Sequence, residues 1–170
     1  MNLKSYIRDI NDFPKPGIIF KDITPLFNDP NALKMASEGL TELVNGKQVD
    51  KVVGMESRGF IFAPMLASQL DAGFVPVRKK GKLPYTSISE SYGLEYGTDE
   101  LEIHVDAISP GEKVLIHDDV LATGGTAAAV KNLIERLGGE VVQCNFLITL
   151  DFLNGKEKLQ GLEIVSLIQY

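Results

Sequence analysis

The chain has 170 residues, a formal net charge of -6, 44% hydrophobic residues, no tryptophan and one cysteine. A domain of this size buries roughly 70% of its unfolded-chain surface and needs no disulfide or metal staple, and the lone Cys144 excludes an intrachain disulfide scaffold. The acidic balance argues against a dedicated nucleic-acid binder, whose footprint is basic, and no apolar run approaches the ~20 residues of a membrane span.

The opening residues, Met1 to Asp9, carry no apolar core of signal-peptide length, and the closing Ser166 to Tyr170 match no lipid-attachment pattern. A cytoplasmic protein without a membrane partner is the expectation. Residues 11–30 hold Pro14, Pro16, Gly17, Pro25 and Pro30 around the apolar Ile18-Ile19-Phe20, and read as a loop-built cover outside the sheet. Val52 to Met55 reads as a buried strand, and Phe60 to Leu70 follows with apolar residues at helical spacing. The stop Asp71-Ala72-Gly73 precedes a second strand, Phe74 to Val77. Residues 81–100, rich in Gly, Ser and Tyr, read as a long loop of the kind that serves as a lid. Leu101 to Val105 alternates like a half-exposed strand. Another strand, Lys113 to Ile116, opens after the turn Ser109-Pro110-Gly111. Thr126 to Leu137 predicts a helix closed by Gly138-Gly139, and Val141 to Leu150 and Ile164 to Ile168 predict two more strands. Such alternation of helices with continuous apolar strands predicts an α/β fold, a mostly parallel twisted sheet flanked by helices. The expected organisation is a single domain over 1–170, with residues 1–30 as a small N-terminal hood and 81–100 as a flexible lid.

The most informative segment runs from Val114 through His117-Asp118-Asp119-Val120-Leu121 to Ala122-Thr123-Gly124-Gly125-Thr126, straight into the predicted helix. Ligands of open α/β sheets bind where strand ends meet helix starts, and the unpaired N–H groups and dipole of a helix N-terminus favour an anion. The turn lacks the Gly-Lys-Ser/Thr of a Walker loop and the GxGxxG of a dinucleotide site. Two carboxylates, Asp118 and Asp119, stand directly before it. Beside a phosphate they make sense if they grip a sugar diol, a metal ion or a developing cation, as a ribose 5-phosphate would require. The plain alternative is a strand-to-helix turn with Thr123 or Thr126 as an N-cap.

The whole string resembles the signature of the type I phosphoribosyltransferases, which bind 5-phosphoribosyl-1-pyrophosphate. Val52 to Phe60, with the turn Glu56-Ser57-Arg58-Gly59, is similar to the pyrophosphate turn of the adenine phosphoribosyltransferase family. Arg78 to Pro84, Ser91 to Gly97 and Asp12 to Pro25 match that family too, so the resemblance covers most of residues 6–160 in order. It implies the type I phosphoribosyltransferase fold, with the N-terminal hood over a purine site. It also implies a magnesium-dependent salvage reaction in which adenine displaces pyrophosphate to give AMP. The transition state resembles an oxocarbenium ion at C1′.

The resemblance assigns roles residue by residue. Asp118, Asp119, Ala122, Thr123, Gly124, Gly125 and Thr126 would hold the phosphoribosyl group, and Glu56, Ser57, Arg58, Gly59, Arg78, Lys79 and Lys82 the pyrophosphate. Arg58 and Glu95 are the catalytic candidates: the guanidinium stabilises the leaving group, and Glu95 acts as acid/base toward the purine. Tyr96 would close the lid against water. Ile19, Phe20, Lys21 and Leu150 would contact adenine, with Phe20 stacking on the ring. Mg2+ would be held by substrate oxygens and water, with no dedicated protein cage. A homodimer is implied, with Arg78 acting in trans. Solvated readings of Arg58, Glu95 and the basic run 78–82, and a core reading of Leu150, stand beside these. His117 replaces an aliphatic residue of the family, Ser57 an alanine and Lys21, in some members, an arginine; a core role is expected for His117 and none in function for His104. Two rival readings are a regulator that kept the pocket without catalysis and an enzyme for another purine.

Overall fold

The structure, a computed structural model, describes residues 2–94 and 97–170. Its residues divide into two units, 1–39 and 40–170. In the first, β1 (Arg8–Asn11) and β2 (Ile19–Asp22) pair antiparallel with Asp9 opposite Lys21 and Ile10 opposite Phe20. The Phe13 and Phe20 rings meet edge-on at 5.2 Å, and Lys21 Nζ lies 2.6 Å from Asp9 Oδ1. Two helices follow, α1 (Thr24–Asn28) and α2 (Pro30–Glu42), the latter running on into the second unit. The Asp29 carboxylate accepts from the N–H groups of Asn31 and Ala32, each at 2.9 Å, and so caps α2. The segment expected to be all loop therefore contains a hairpin and α1. Its prolines explain both: Pro14 and Pro16 lie in the connection, where no ladder donor is lost, and Pro25 and Pro30 open helices, where the missing N–H costs nothing.

The second unit carries a seven-stranded sheet among the described residues. Its strands are β3 (Lys51–Met55), β4 (Gly73–Lys79), β5 (Ser87–Leu94), β6 (Gly97–His104), β7 (Lys113–Leu121), β8 (Glu140–Thr149) and β9 (Ile164–Gln169). They lie in the order β5-β6-β4-β3-β7-β8-β9. The five strands from β4 to β9 in that order are parallel, while β6 joins β4, and β5 joins β6, antiparallel. This is the expected mostly parallel α/β sheet, with α3 (Gly59–Gln69) and α4 (Gly125–Arg136) packed on it.

Successive strand residues point to opposite faces, and the apolar runs fill both. Val53, Met55, Ile116, Cys144 and Phe146 bury with Val130, Leu133 and Ile134 of α4. On the other face Phe62 of α3 meets His117 edge-on, with centroids 6.2 Å apart. Each such large apolar side chain contributes roughly 1.5–3 kcal/mol by leaving water.

β5 and β6 pair as an antiparallel ribbon, in which Tyr92 lies opposite Asp99, where a loop was expected up to residue 100. Ser87, Ser89 and Ser91 on β5 alternate with Ile88, Glu90 and Tyr92, of which Ile88 and Tyr92 pack on the core; the glycines and serines masked that period. The ribbon is tied to α4. Asn132 Nδ2 donates to Glu90 Oε1 at 2.9 Å, and Arg136 donates to Ser89 O at 2.7 Å and Glu90 Oε2 at 3.1 Å. Among the described residues no helix is long and apolar enough to cross a membrane.

His117 is a core residue. It is fully buried, its Nδ1 sits 3.3 Å from Asn145 Oδ1, and Asn145 Nδ2 in turn donates to Leu40 O at 2.9 Å. Burial pushes its pKa down to about 4, against the weaker pull of Asn145. A histidine held neutral in the folded state binds its proton first in the unfolded chain. Its contribution is therefore complete above the unfolded value near 6.5 and is lost as pH falls toward 4. Urea titrations should show the wild type losing about 2 kcal/mol more between pH 7.5 and 5 than His117→Gln, whose site cannot charge. Equal losses would show that His117 does not titrate between the two states.

Candidate active site

The site is built at the carboxyl ends of β3 and β7, which pair parallel with Gly54 beside His117. β7 continues to Leu121, so both acids belong to the strand and only Ala122, Thr123 and Gly124 form the turn into α4. Gly124 sits at φ 76°, left-handed, where a side chain would be strained. A Cβ there would also collide with the Gly155 carbonyl, and one on Gly155 would collide with the Ala122 carbonyl. The loop is thus clamped backbone to backbone. No acidic residue occupies the first turn of α4, and no side chain caps it, so its N-terminal N–H groups face the turn. Beneath it lies a pocket of about 80 Å³ lined by Met55, Asp118, Gly124, Gly125, Thr126 and Phe146, among others. The Tyr92 hydroxyl shares a hydrogen bond with Thr126 and reaches Asp99 Oδ2 at 3.4 Å, joining the ribbon to the loop.

The two acids stand at successive strand positions and take different partners. Asp118 lines the pocket, and its Oδ1 accepts from the Asp119 N–H at 2.9 Å. Asp119 is 3% exposed and places Oδ2 2.9 Å from Arg58 Nε, an ion pair whose N–H points off the line of a hydrogen bond. Burial, and then the charge of Asp119, push the Asp118 carboxyl well above the usual carboxylate range. Burial raises Asp119 as well, while Arg58 pulls it back. Two desolvated carboxyls in contact favour an approaching cation or hydroxyl donors.

The turn after β3 comes against this pair. The Glu56–Ser57 peptide is cis. A Cβ on Gly59 would meet Asp118 Oδ1 at 2.9 Å and His117 O at 3.1 Å, so only glycine lets α3 start so close to β7. Ser57 is exposed and Arg58 half-buried, both at this edge. Glu56 turns toward the basic run: its Oε2 accepts from the Lys79 N–H at 2.8 Å and lies 3.5 Å from Arg78 Nε. Arg78 also donates to Lys82 O at 3.2 Å. Lys79 pairs with Asp99 at 2.8 Å and Lys80 with Glu100 at 2.7 Å, while Glu102 accepts from the Gly81 N–H at 3.0 Å. The cations of residues 78–82 thus stand among four carboxylates, three of them from β6, and Lys82 is exposed with no ion pair among the described residues.

Ile19, Phe20 and Lys21 lie together on β2 of the first unit, Ile19 being 53% exposed. Leu150, half-buried, follows β8 in the second unit, and its N–H donates to Leu121 O at 2.9 Å. Glu95 and Tyr96 lie outside the described residues. Among the described residues no three His, Cys, Asp or Glu side chains cluster as a metal site. Two contributors escaped the sequence: Gly155, signalled only by the turn pair Asn154-Gly155, and the β6 carboxylates, hidden because ion pairs across a ribbon leave no local pattern.

A profile of the phosphoribosyl transferase domain matches residues 26–162. The chain is 61% identical over 170 residues to an adenine phosphoribosyltransferase of Christiangramia forsetii, covering 100% of this chain and 99% of that one. A crystal structure of adenine phosphoribosyltransferase from Rhodothermus marinus is 58% identical with TM-score 0.94, over 99% of this chain and 96% of that chain. The Saccharomyces cerevisiae adenine phosphoribosyltransferase, crystallised with an imino-altritol bisphosphate and adenine, is 41% identical with TM-score 0.91, over 96% and 95% of the two chains.

Because the Gly124–Gly155 contact leaves no room for a methyl group, Gly155→Ala should shift the loop and weaken ribose 5-phosphate binding about tenfold or more. Calorimetric titration alongside a circular dichroism spectrum checks this. Full affinity in a folded variant would show that the loop does not depend on the contact.

Proposed function

The chain belongs to the phosphoribosyl transferase domain family, among its adenine phosphoribosyltransferases, and from this we propose that it converts adenine and 5-phosphoribosyl-1-pyrophosphate to AMP and pyrophosphate in purine salvage. The observation that carries the reading is the clamped neutral loop at the start of α4 with a buried acid pair at its edge.

In this reading the N–H groups of the loop and of the first turn of α4 hold the 5′-phosphate. The sugar hydroxyls reach Asp118 and Asp119, whose oxygens favour the cationic sugar. Adenine N9 forms a bond to C1′ as the C1′–oxygen bond to pyrophosphate breaks, and the pair in that bond leaves with pyrophosphate. Arg58 and the Ser57–Gly59 turn receive the growing negative charge, and Lys82 adds an exposed ammonium. Glu56 holds Arg78 and the end of β4 in place by the contacts described. Glu95 takes the proton that adenine releases, and Tyr96 closes the lid. Ile19, Phe20, Lys21 and Leu150 contact the purine.

Magnesium suits this donor set as a substrate-borne ion, since Asp118 and Asp119 offer hard oxygens without a three-residue cluster. When bound, it draws charge from the pyrophosphate. Ile61 on α3 and Phe74 on β4 are exposed apolar side chains of the kind a second copy of the chain covers, and a cytoplasmic homodimer with Arg78 acting across the interface completes the reading.

Product formation from each purine with the sugar donor and magnesium tests the reaction. AMP should form fast with negligible GMP or IMP, and equal rates would remove the adenine assignment. With chemistry rate-limiting, Glu95→Gln should lower kcat about tenfold or more at nearly unchanged donor affinity. An unchanged kcat would take Glu95 out of the proton-transfer role.

A further inference from the structure

Lys158 follows the Gly155 clamp in the short 3-10 turn Gly155–Leu159. Its Nζ approaches the very start of α4, 3.9 Å from where a Cβ on Gly125 would stand, in a trough shared with Glu90, Tyr92, Gly93 and Asn132. Gly125 lines both this trough and the pocket under the loop. An ammonium at a helix N-terminus faces the positive end of the macrodipole, an unfavourable placement that an anion between them reverses. The carboxylate that lines the trough, Glu90, is held by Asn132 and Arg136. The first turn of α4 has no acidic residue, and no ion pair to Lys158 is formed among the described residues. By contrast Lys156, two residues earlier, pairs with Asp151 at 2.8 Å.

The phosphate loop has a matching deficit. Ala122, Thr123, Gly124, Gly125 and Thr126 offer neutral donors only, whereas a phosphomonoester is close to a dianion at neutral pH. The nearby cations at residues 58 and 78–80 are engaged by Asp119, Glu56, Asp99 and Glu100 at the other turn. We infer that Lys158 is a binding residue for the 5-phosphate of the phosphoribosyl group, supplying the charge that the loop lacks. This rests on the phosphoribosyltransferase reading and adds to it a residue outside the loop, carried by the same Asn154–Leu159 turn that clamps Gly124.

Titration calorimetry with ribose 5-phosphate and, separately, pyrophosphate tests it on the whole chain and on K158Q, K158R and K156Q. The K158Q protein should bind ribose 5-phosphate about five- to tenfold more weakly, with a shallower salt dependence, as expected for one partly screened charge. K158R should restore most of the affinity, K156Q should bind like wild type, and pyrophosphate binding should be the same in all. Unchanged ribose 5-phosphate affinity in K158Q overturns the inference. So does an equal loss in K156Q or an equal weakening of pyrophosphate, since either shows a general field effect. A wild type that neither binds ribose 5-phosphate nor makes AMP removes the phosphoribosyltransferase reading itself, an outcome distinct from an intact wild type with an unaffected K158Q.

Discussion

The parallel pairing of β3 with β7 is the constraint on which the site depends. Parallel neighbours end at the same edge of a sheet, so the turns that follow them are brought side by side. Here Gly54 lies beside His117, and the next residues of each strand carry the turn of Glu56 to Gly59 against the Asp118–Asp119 pair. Two absent side chains make the fit possible. Gly59 admits the carboxylate of Asp118, and Gly155 admits the loop at Gly124. His117 and Asn145, buried and bonded to each other behind the acids, tie β7 to β8 and to the backbone at Leu40. A polar pair in that position resists slippage of the register, because a shift would leave its groups unpaired.

Charge is organised in the same local way. A chain of net charge -6 that handles anionic substrates must concentrate its cations. It does so at residues 78–82, yet most of those cations are held by Glu56 and by the carboxylates of β6. The result is a surface on which cations and carboxylates interleave, and not a strongly positive one. At the turn into α4 the protein offers neutral N–H donors from an uncapped helix start, with the ammonium of Lys158 standing beside them.

Much of this was legible in the sequence because it depends on local chemistry. Strand and helix periods around Val52, Phe60, Lys113, Thr126 and Val141 follow from burial of alternating or helical faces, and they predicted the α/β sheet within a residue or two at most ends. The glycines and carboxylates of the loop stood together because a helix N-terminus and its preceding strand are contiguous in the chain. The ribbon of β5 and β6 was less legible, since serines and glycines on its exposed side blur the period of two. The same holds for the N-terminal hairpin, whose prolines lie just outside its strands.

By itself the sequence determined the parallel strands, α3 and α4, the glycine-rich turn that follows the acid pair, and the family to which they belong. Tertiary structure alone decided that the two acids face different partners, Asp118 the pocket and Asp119 Arg58. It also decided that Glu56 serves the basic strand, that Gly155 clamps the loop and that Lys158 stands beside it. The physical reason is separation along the chain. Residues such as Gly124 and Gly155, or Lys79 and Asp99, meet only through the packing of whole elements, and such packing leaves no mark on either local pattern.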